Sequence, residues 1–184
     1  LTNYDLNGEI DNADGSVEPS EEDKIPFTVT PDMIYTGNGS DEVLSFVFYA
    51  FFDSSKKFVM PEFTYSFYPV YAGFYDIPMD TIPLKKDWTL DTDAMLEHAA
   101  KNKGGIIFAN PNAPTGLGIT REQVRSMLLK ADKDEIFIVD EAYVDFGGES
   151  CIPLLKEFNN LVVVRTFSKS LCGAGQRLGY IVAS

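Results

Sequence analysis

From residue 31 onward, short apolar runs alternate with longer stretches of helical period, and Gly, Pro, Asn and Asp punctuate the joins. Runs of this length, bounded by turn residues, read as strands buried on both faces. They predict seven strands, over residues 33–36, 57–60, 74–79, 105–109, 136–139, 161–165 and 179–183. Residues 41–52 (DEVLSFVFYAFF) are apolar nearly all round and predict a buried helix. Residues 64–72 predict an aromatic helix in which Pro69 marks a kink or break. Asp91 can cap a helix over 92–102, and Thr120 with Gln123 forms a capping box for a helix over 121–131. Residues 153–158 fit a further short helix. Strands alternating with helices predict an α/β fold, a mostly parallel seven-stranded sheet with helices on both faces.

Residues 1–30 carry no such period. Asp5, Glu9, Asp11, Asp14, Glu18, Glu21, Glu22 and Asp23 stand there against Lys24 alone, which predicts an irregular acidic leader ahead of a folded unit over 31–184. The 184 residues suffice for one domain with a real core, and 14 Phe and 9 Tyr point to an aromatic interior. A formal net charge of −13 argues against nucleic acid or an anionic membrane as a partner, so any anion must be held locally. Cys151 and Cys172 are too few for a disulfide framework, and His98 has no second His or Cys beside it to make a metal site. No apolar run reaches membrane-spanning length and no basic, apolar signal opens the chain, which makes the cytoplasm the expected location.

Right-handed crossovers would set the loops that follow the strands along one edge of the sheet. That edge collects residues 39–41, Asn112, Asp140, Tyr143, Ser168, Lys169 and Arg177, and such edges are where open α/β sheets bind ligands. The turn Gly37-Asn38-Gly39-Ser40 precedes a helix whose first amides lack partners, a site suited to phosphate. Arg177 and the hydroxyls of Thr166 and Ser168 could complete the cup. Asp140 follows four apolar residues, so its carboxylate wants a cation such as a protonated pyridine nitrogen. Tyr65 opens the aromatic helix, where its ring could stack on a planar group or simply join the core. Lys169 lies just past a buried strand; partial burial and nearby Arg177 would free its amine to attack an aldehyde. A phosphate cup, a buried acid, a ring platform and a lysine describe a pyridoxal 5'-phosphate site.

Thr166-Phe167-Ser168-Lys169 with Arg177, residues 110–116, and Val139-Asp140-Glu141-Ala142-Tyr143 resemble the fold-type-I pyridoxal-phosphate aminotransferases. Gly37-Asn38-Gly39-Ser40-Asp41-Glu42 and Glu141-Ala142-Tyr143-Val144-Asp145-Phe146 are similar to histidinol-phosphate aminotransferases and their near relatives. The resemblance covers about 31–184. It implies that Lys169 holds the cofactor and then moves a proton as general base, that Asp140 keeps the pyridine nitrogen protonated, and that Tyr143 hydrogen-bonds the ring oxygen. It implies that Tyr65 stacks on the ring and that the amides of Ser40 and Asp41, with Ser168 and Arg177, hold the phosphate. The implied reaction moves an amino group between a small-molecule amino donor, histidinol phosphate, and a 2-oxo acid, 2-oxoglutarate, in histidine biosynthesis, within a homodimer.

Two departures follow from the same comparison. Many members place an asparagine directly before Pro-Thr-Gly to touch the ring oxygen; that place is Ala113 here, with Asn112 one residue earlier as the candidate. Members are also about twice as long, so a C-terminal small domain with the arginine that grips substrate is expected to be absent, and Tyr4 is a poor match for the tyrosine of the partner's arm. The alternatives are a truncated pyridoxal-phosphate-binding domain without turnover, an aromatic aminotransferase, or a phosphothreonine decarboxylase.

Overall fold

The computed structural model describes residues 28–184; the acidic leader expected over 1–30 lies, for residues 1–27, outside the described residues. Seven strands form one sheet: β1 (Ile34–Asn38), β2 (Phe58–Pro61), β3 (Met79–Ile82), β4 (Ile106–Ala109), β5 (Phe137–Asp140), β6 (Leu161–Thr166) and β7 (Leu178–Ala183). Their order is β1-β7-β6-β5-β4-β2-β3. Strand β7 pairs antiparallel with both β1 and β6, and every other pairing is parallel, so the sheet is mixed but mostly parallel.

The uninterrupted apolar runs are divided residue by residue between two cores, as the two-residue period of a strand requires. Val59, Ile106, Phe108, Phe137, Val139, Leu161 and Val163 face helices α3 (Thr92–Asn102) and α4 (Arg121–Lys130). Phe58, Met60, Ile107, Ile138, Val162 and Val164 face α1 (Gly39–Phe51) and α2 (Tyr68–Phe74). Asp140 continues the second series, so the end of β5 aims its carboxylate at α2.

The predicted caps stand where the sequence put them. The Asp91 side chain accepts from Ala94 N–H at 3.2 Å. The hydroxyl of Thr120 accepts from Gln123 N–H while the Gln123 side chain accepts from Thr120 N–H, closing the box at the start of α4.

Four expectations are corrected. Helix α1 is buried on one side only: Val43, Leu44, Val47 and Phe48 meet the sheet, while Phe46, Tyr49 and Phe51 are exposed. A sheet covers one face of a helix, and no second layer lies over α1 among the described residues. Pro69 begins α2 rather than kinking a longer helix; a proline in the first turn loses no helical hydrogen bond. The strand expected at 74–79 starts only at Met79, because α2 runs on to Phe74. Tyr75 N–H still bonds Tyr71 O, Ile77 N–H bonds Ala72 O, and Asp76 takes φ 55° before Pro78 permits an extended chain. The short helix expected at 153–158 is a 3-10 turn, Ile152–Lys156.

Candidate active site

At the carboxyl edge of the parallel strands a cleft of about 270 Å³ opens between the loops. Ser40, Asp41, Tyr65, Asp140, Tyr143, Ser168, Lys169 and Arg177 all line it. Arg177 precedes a strand instead of following one, and it reaches this edge because β7 runs against its neighbours.

The end of the cleft at α1 is built by two glycines. Gly39 starts α1 at φ +80°, and a Cβ there would lie 2.4 Å from Arg177 Nη2. A Cβ on Gly179 of β7 would lie 2.3 Å from the amide nitrogen of Ser40. Their missing side chains let the open amides of α1, the guanidinium and the sheet come together. The Asp41 carboxylate turns aside, accepting from Tyr65 Oη at 2.6 Å and standing 3.6 Å from Arg177 Nη2. Burial, and then Asp41, hold the Tyr65 phenol well above its ordinary pKa, so it remains a donor.

At the other end, Asp140 is 4% exposed. Its Oδ2 accepts from Tyr68 Oη at 2.9 Å and its Oδ1 from Ala142 N–H at 3.1 Å. Burial pushes this carboxyl up to about 6; the Tyr68 and Ala142 donors pull the other way. No cation pairs with it directly among the described residues, so the carboxylate remains available to one entering the cleft.

Lys169 lies on a closed loop: Cys172 N–H bonds Lys169 O, Gly173 N–H bonds Phe167 O, and Ser168 N–H bonds the Thr166 hydroxyl at 3.2 Å. The lysine is exposed, not partly buried as expected, and its ammonium stands 5.0 Å from the centre of the Tyr143 ring. The donor set fits pyridoxal 5'-phosphate: amides and a guanidinium for an anion, an unpaired buried carboxylate for a ring cation, and an amine for an aldehyde.

Two sequence candidates fall outside the cleft lining. Thr166 is buried beneath the loop, where its hydroxyl holds Ser168. The Asn112 amide nitrogen is committed to Phe63 O at 2.8 Å and to the Thr115 hydroxyl at 3.2 Å, and its Oδ1 is buried without a partner. Ala113 lines the cleft in its place.

Sequence reasoning passed over Tyr68, which reads as one more core aromatic. It also passed over Asn110, whose side chain exchanges two hydrogen bonds with Ile119 and locks the 110–119 loop more directly than its prolines. A third omission is Arg165, which sits 3.0 Å from buried Glu141 and 3.0 Å from Asp145. Asp145 in turn accepts from the Ser170 hydroxyl. That chain ties the Tyr143 loop to the Lys169 loop. A charged residue closing a buried strand was its visible signal.

A family model described as aminotransferase class I and II matches residues 22–184. The chain is 53% identical over 159 residues to a histidinol-phosphate aminotransferase from Syntrophus aciditrophicus, covering 86% of this chain and 44% of that relative. It is 47% identical over 158 residues to the enzyme of that name from Chromohalobacter salexigens, covering 86% and 44%. It therefore spans less than half the length of these relatives. Among solved structures, an aminotransferase from Mycobacterium tuberculosis superposes with TM-score 0.75 at 26% identity, covering 87% of this chain and 43% of that one. A histidinol-phosphate aminotransferase from Sinorhizobium meliloti in complex with pyridoxal-5'-phosphate gives TM-score 0.77 at 23% identity, covering 84% and 43%, which speaks to the fold alone. With the family model spanning most of the chain and Lys169, Asp140 and Arg177 gathered in one cleft, this chain belongs to the class I and II aminotransferases, a pyridoxal-phosphate-dependent family.

Proposed function

We propose that the protein carrying this chain is an aminotransferase that moves an amino group between histidinol phosphate and 2-oxoglutarate, with pyridoxal 5'-phosphate in the cleft. The observation that carries the reading is that Lys169 and Asp140, from the ends of neighbouring strands β6 and β5, line the same cleft. The substrates follow the names of the relatives.

When bound, the cofactor supplies a protonated ring that draws electrons from the bond being broken at the substrate carbon. The chain's own residues do the rest. Asp140 would supply the negative charge that keeps the ring nitrogen protonated. Lys169 would hold the cofactor through its amine and would carry a proton at Nζ. Tyr143 donates to the ring oxygen, and the Tyr65 side chain flanks the phosphate end. The amides of Ser40 and Asp41, the Ser168 hydroxyl and the Arg177 guanidinium hold the phosphate. Thr166 acts through Ser168. Asn112, with its amide engaged elsewhere, is left out of the ring contacts.

We also propose a homodimer and a cytoplasmic location. The exposed aromatic face of α1 supports the first, and two free thiols, Cys151 and Cys172, agree with the second. No helix among the described residues is long and apolar enough to cross a membrane.

Adding pyridoxal 5'-phosphate to the protein gives a visible absorption band that borohydride fixes onto Lys169, and Lys169→Ala abolishes it. A wild-type protein without the band refutes the cofactor site. A band without amino transfer from histidinol phosphate leaves a cofactor-binding domain and refutes the activity.

A further inference from the structure

Tyr68 takes no part in the reaction as read above. It is fully buried on α2, against Phe48 and Tyr65. For that packing a phenylalanine would serve equally well, and a buried hydroxyl costs free energy unless it is bonded. Among the described residues its hydroxyl donates to Asp140 Oδ2, at 2.9 Å, while Ala142 N–H donates to Oδ1 at 3.1 Å. The two donors meet different oxygens of one carboxylate and so fix its plane.

We propose that Tyr68 is a positioning residue of the amino-transfer site: its hydroxyl holds the Asp140 carboxylate ionised and in one orientation, ready to pair with the ring nitrogen of the cofactor. This rests on the cofactor reading given above. Asp140 is carried by β5, beside Ala109 of β4 and Val164 of β6, and neither neighbour offers it a charge. The titratable and charged groups that act on it are Tyr68, Tyr65 and Tyr71 from the α2 side, Asp41 from α1 and Lys169 from the loop after β6. Of these, Tyr68 alone donates to the carboxylate. Burial pushes the group up to about 6, so at neutral pH it stays charged by a narrow margin, and the Tyr68 donor widens that margin.

The direction of the pH effect follows. The folded state holds a proton on Asp140 over a range, from about 4 to about 6, where the unfolded chain has released it. The stability this gives is complete below about 4 and is lost as pH rises through about 6. Without the Tyr68 donor the carboxyl titrates higher, and the loss extends to higher pH.

The test uses Tyr68→Phe, Asp140→Asn and their combination. Carbon-13 NMR of the Asp140 carboxyl in the cofactor-free chain should show the midpoint rising by about one to two pH units in Tyr68→Phe, as expected for one hydrogen bond to a charge. Substituting 3-fluorotyrosine at position 68, a stronger donor in the same ring, should lower it, and this variant serves even where the phenylalanine variant folds poorly. Urea unfolding against pH should show the extended loss in Tyr68→Phe and no added slope when Asp140→Asn is also present. Pyridoxal 5'-phosphate, followed by its visible band, should bind Tyr68→Phe about two- to tenfold more weakly at pH 7, as the ionised fraction of Asp140 falls with a midpoint raised from about 6 by one to two units. A wild-type band together with an unchanged midpoint and unchanged affinity in Tyr68→Phe overturns this role alone. A wild-type protein that forms no band overturns the cofactor reading and the role together.

Discussion

Gly39 and Gly116 both hold positive φ, at +80° and +73°, yet only one of them faces crowded space. Nothing lies within 4 Å of a Cβ built on Gly116, whereas a Cβ on Gly39 would strike the Arg177 guanidinium. Alanine at either position forces an L residue into left-handed backbone, worth about 1–2 kcal/mol. Gly116→Ala should therefore lose stability on that scale in urea unfolding and leave cofactor affinity unchanged. Gly39→Ala should lose at least as much and also weaken pyridoxal 5'-phosphate binding by about tenfold or more, an effect of about 1.4 kcal/mol, by displacing Arg177. Equal affinities in the two variants would remove Arg177 from the phosphate cup. At this scale the sequence shows residue types better than directions. Lys169, Asp140 and Arg177 were legible because strand ends and glycine turns announce them. The engagement of the Asn112 amide away from the cleft was not, because it depends on Phe63 O, 49 residues away in the chain.

Among the elements, boundaries were legible where a local hydrogen bond sets them. Asp91 and Thr120 mark the starts of α3 and α4 because each cap is satisfied within three residues. The end of α2 was not legible. Residues 74–79 mix aromatic and aliphatic side chains that suit a helix or a strand, and the outcome turns on Asp76 and Pro78. The link between the loops after β5 and β6 was equally hidden, since Arg165, Glu141 and Asp145 look like separate charges in the sequence. Glu141 is fully buried and also accepts from the Ser150 hydroxyl at 2.8 Å, so Arg165→Met would strand its charge. That substitution should cost about 3–5 kcal/mol in urea unfolding at pH 7, and Glu141→Gln in the same chain should restore part of it. Lys101→Met, which breaks an exposed pair with Glu97, should cost about 0.5 kcal/mol or less. If the two lysine and arginine variants lost similar amounts, the Arg165 pair would be no more than a surface contact.

For the whole molecule, the parallel sheet was legible because four-residue apolar runs with no polar alternation can only be covered on both sides. The direction of β7 was not, although the chain allows for it: residues 167–177 are too few for a parallel crossover and suit a reversal. That reversal brings Arg177 to the cleft and leaves β1 as one edge, next to the uncovered face of α1. Along that face Tyr35 meets Phe46, Tyr49 meets Tyr75, and Tyr75 meets Phe74 in successive ring contacts at 6.0, 5.7 and 4.9 Å. Phe46 and Tyr49, three residues apart on the helix, join the pairs into one band. Tyr49 is 71% exposed and Phe74 78%, and a contiguous aromatic band of this kind marks an interaction surface more often than a solvated one. A second copy of the chain is the occupant consistent with the proposed homodimer. Sedimentation should then find the chain as a dimer, and Tyr49→Glu or Phe74→Glu should convert it to a monomer. Leu129→Glu, at an exposed apolar residue on α4 across the sheet, should leave the dimer intact. A wild-type monomer, or a dimer indifferent to Tyr49 and Phe74, would assign the band to some other contact.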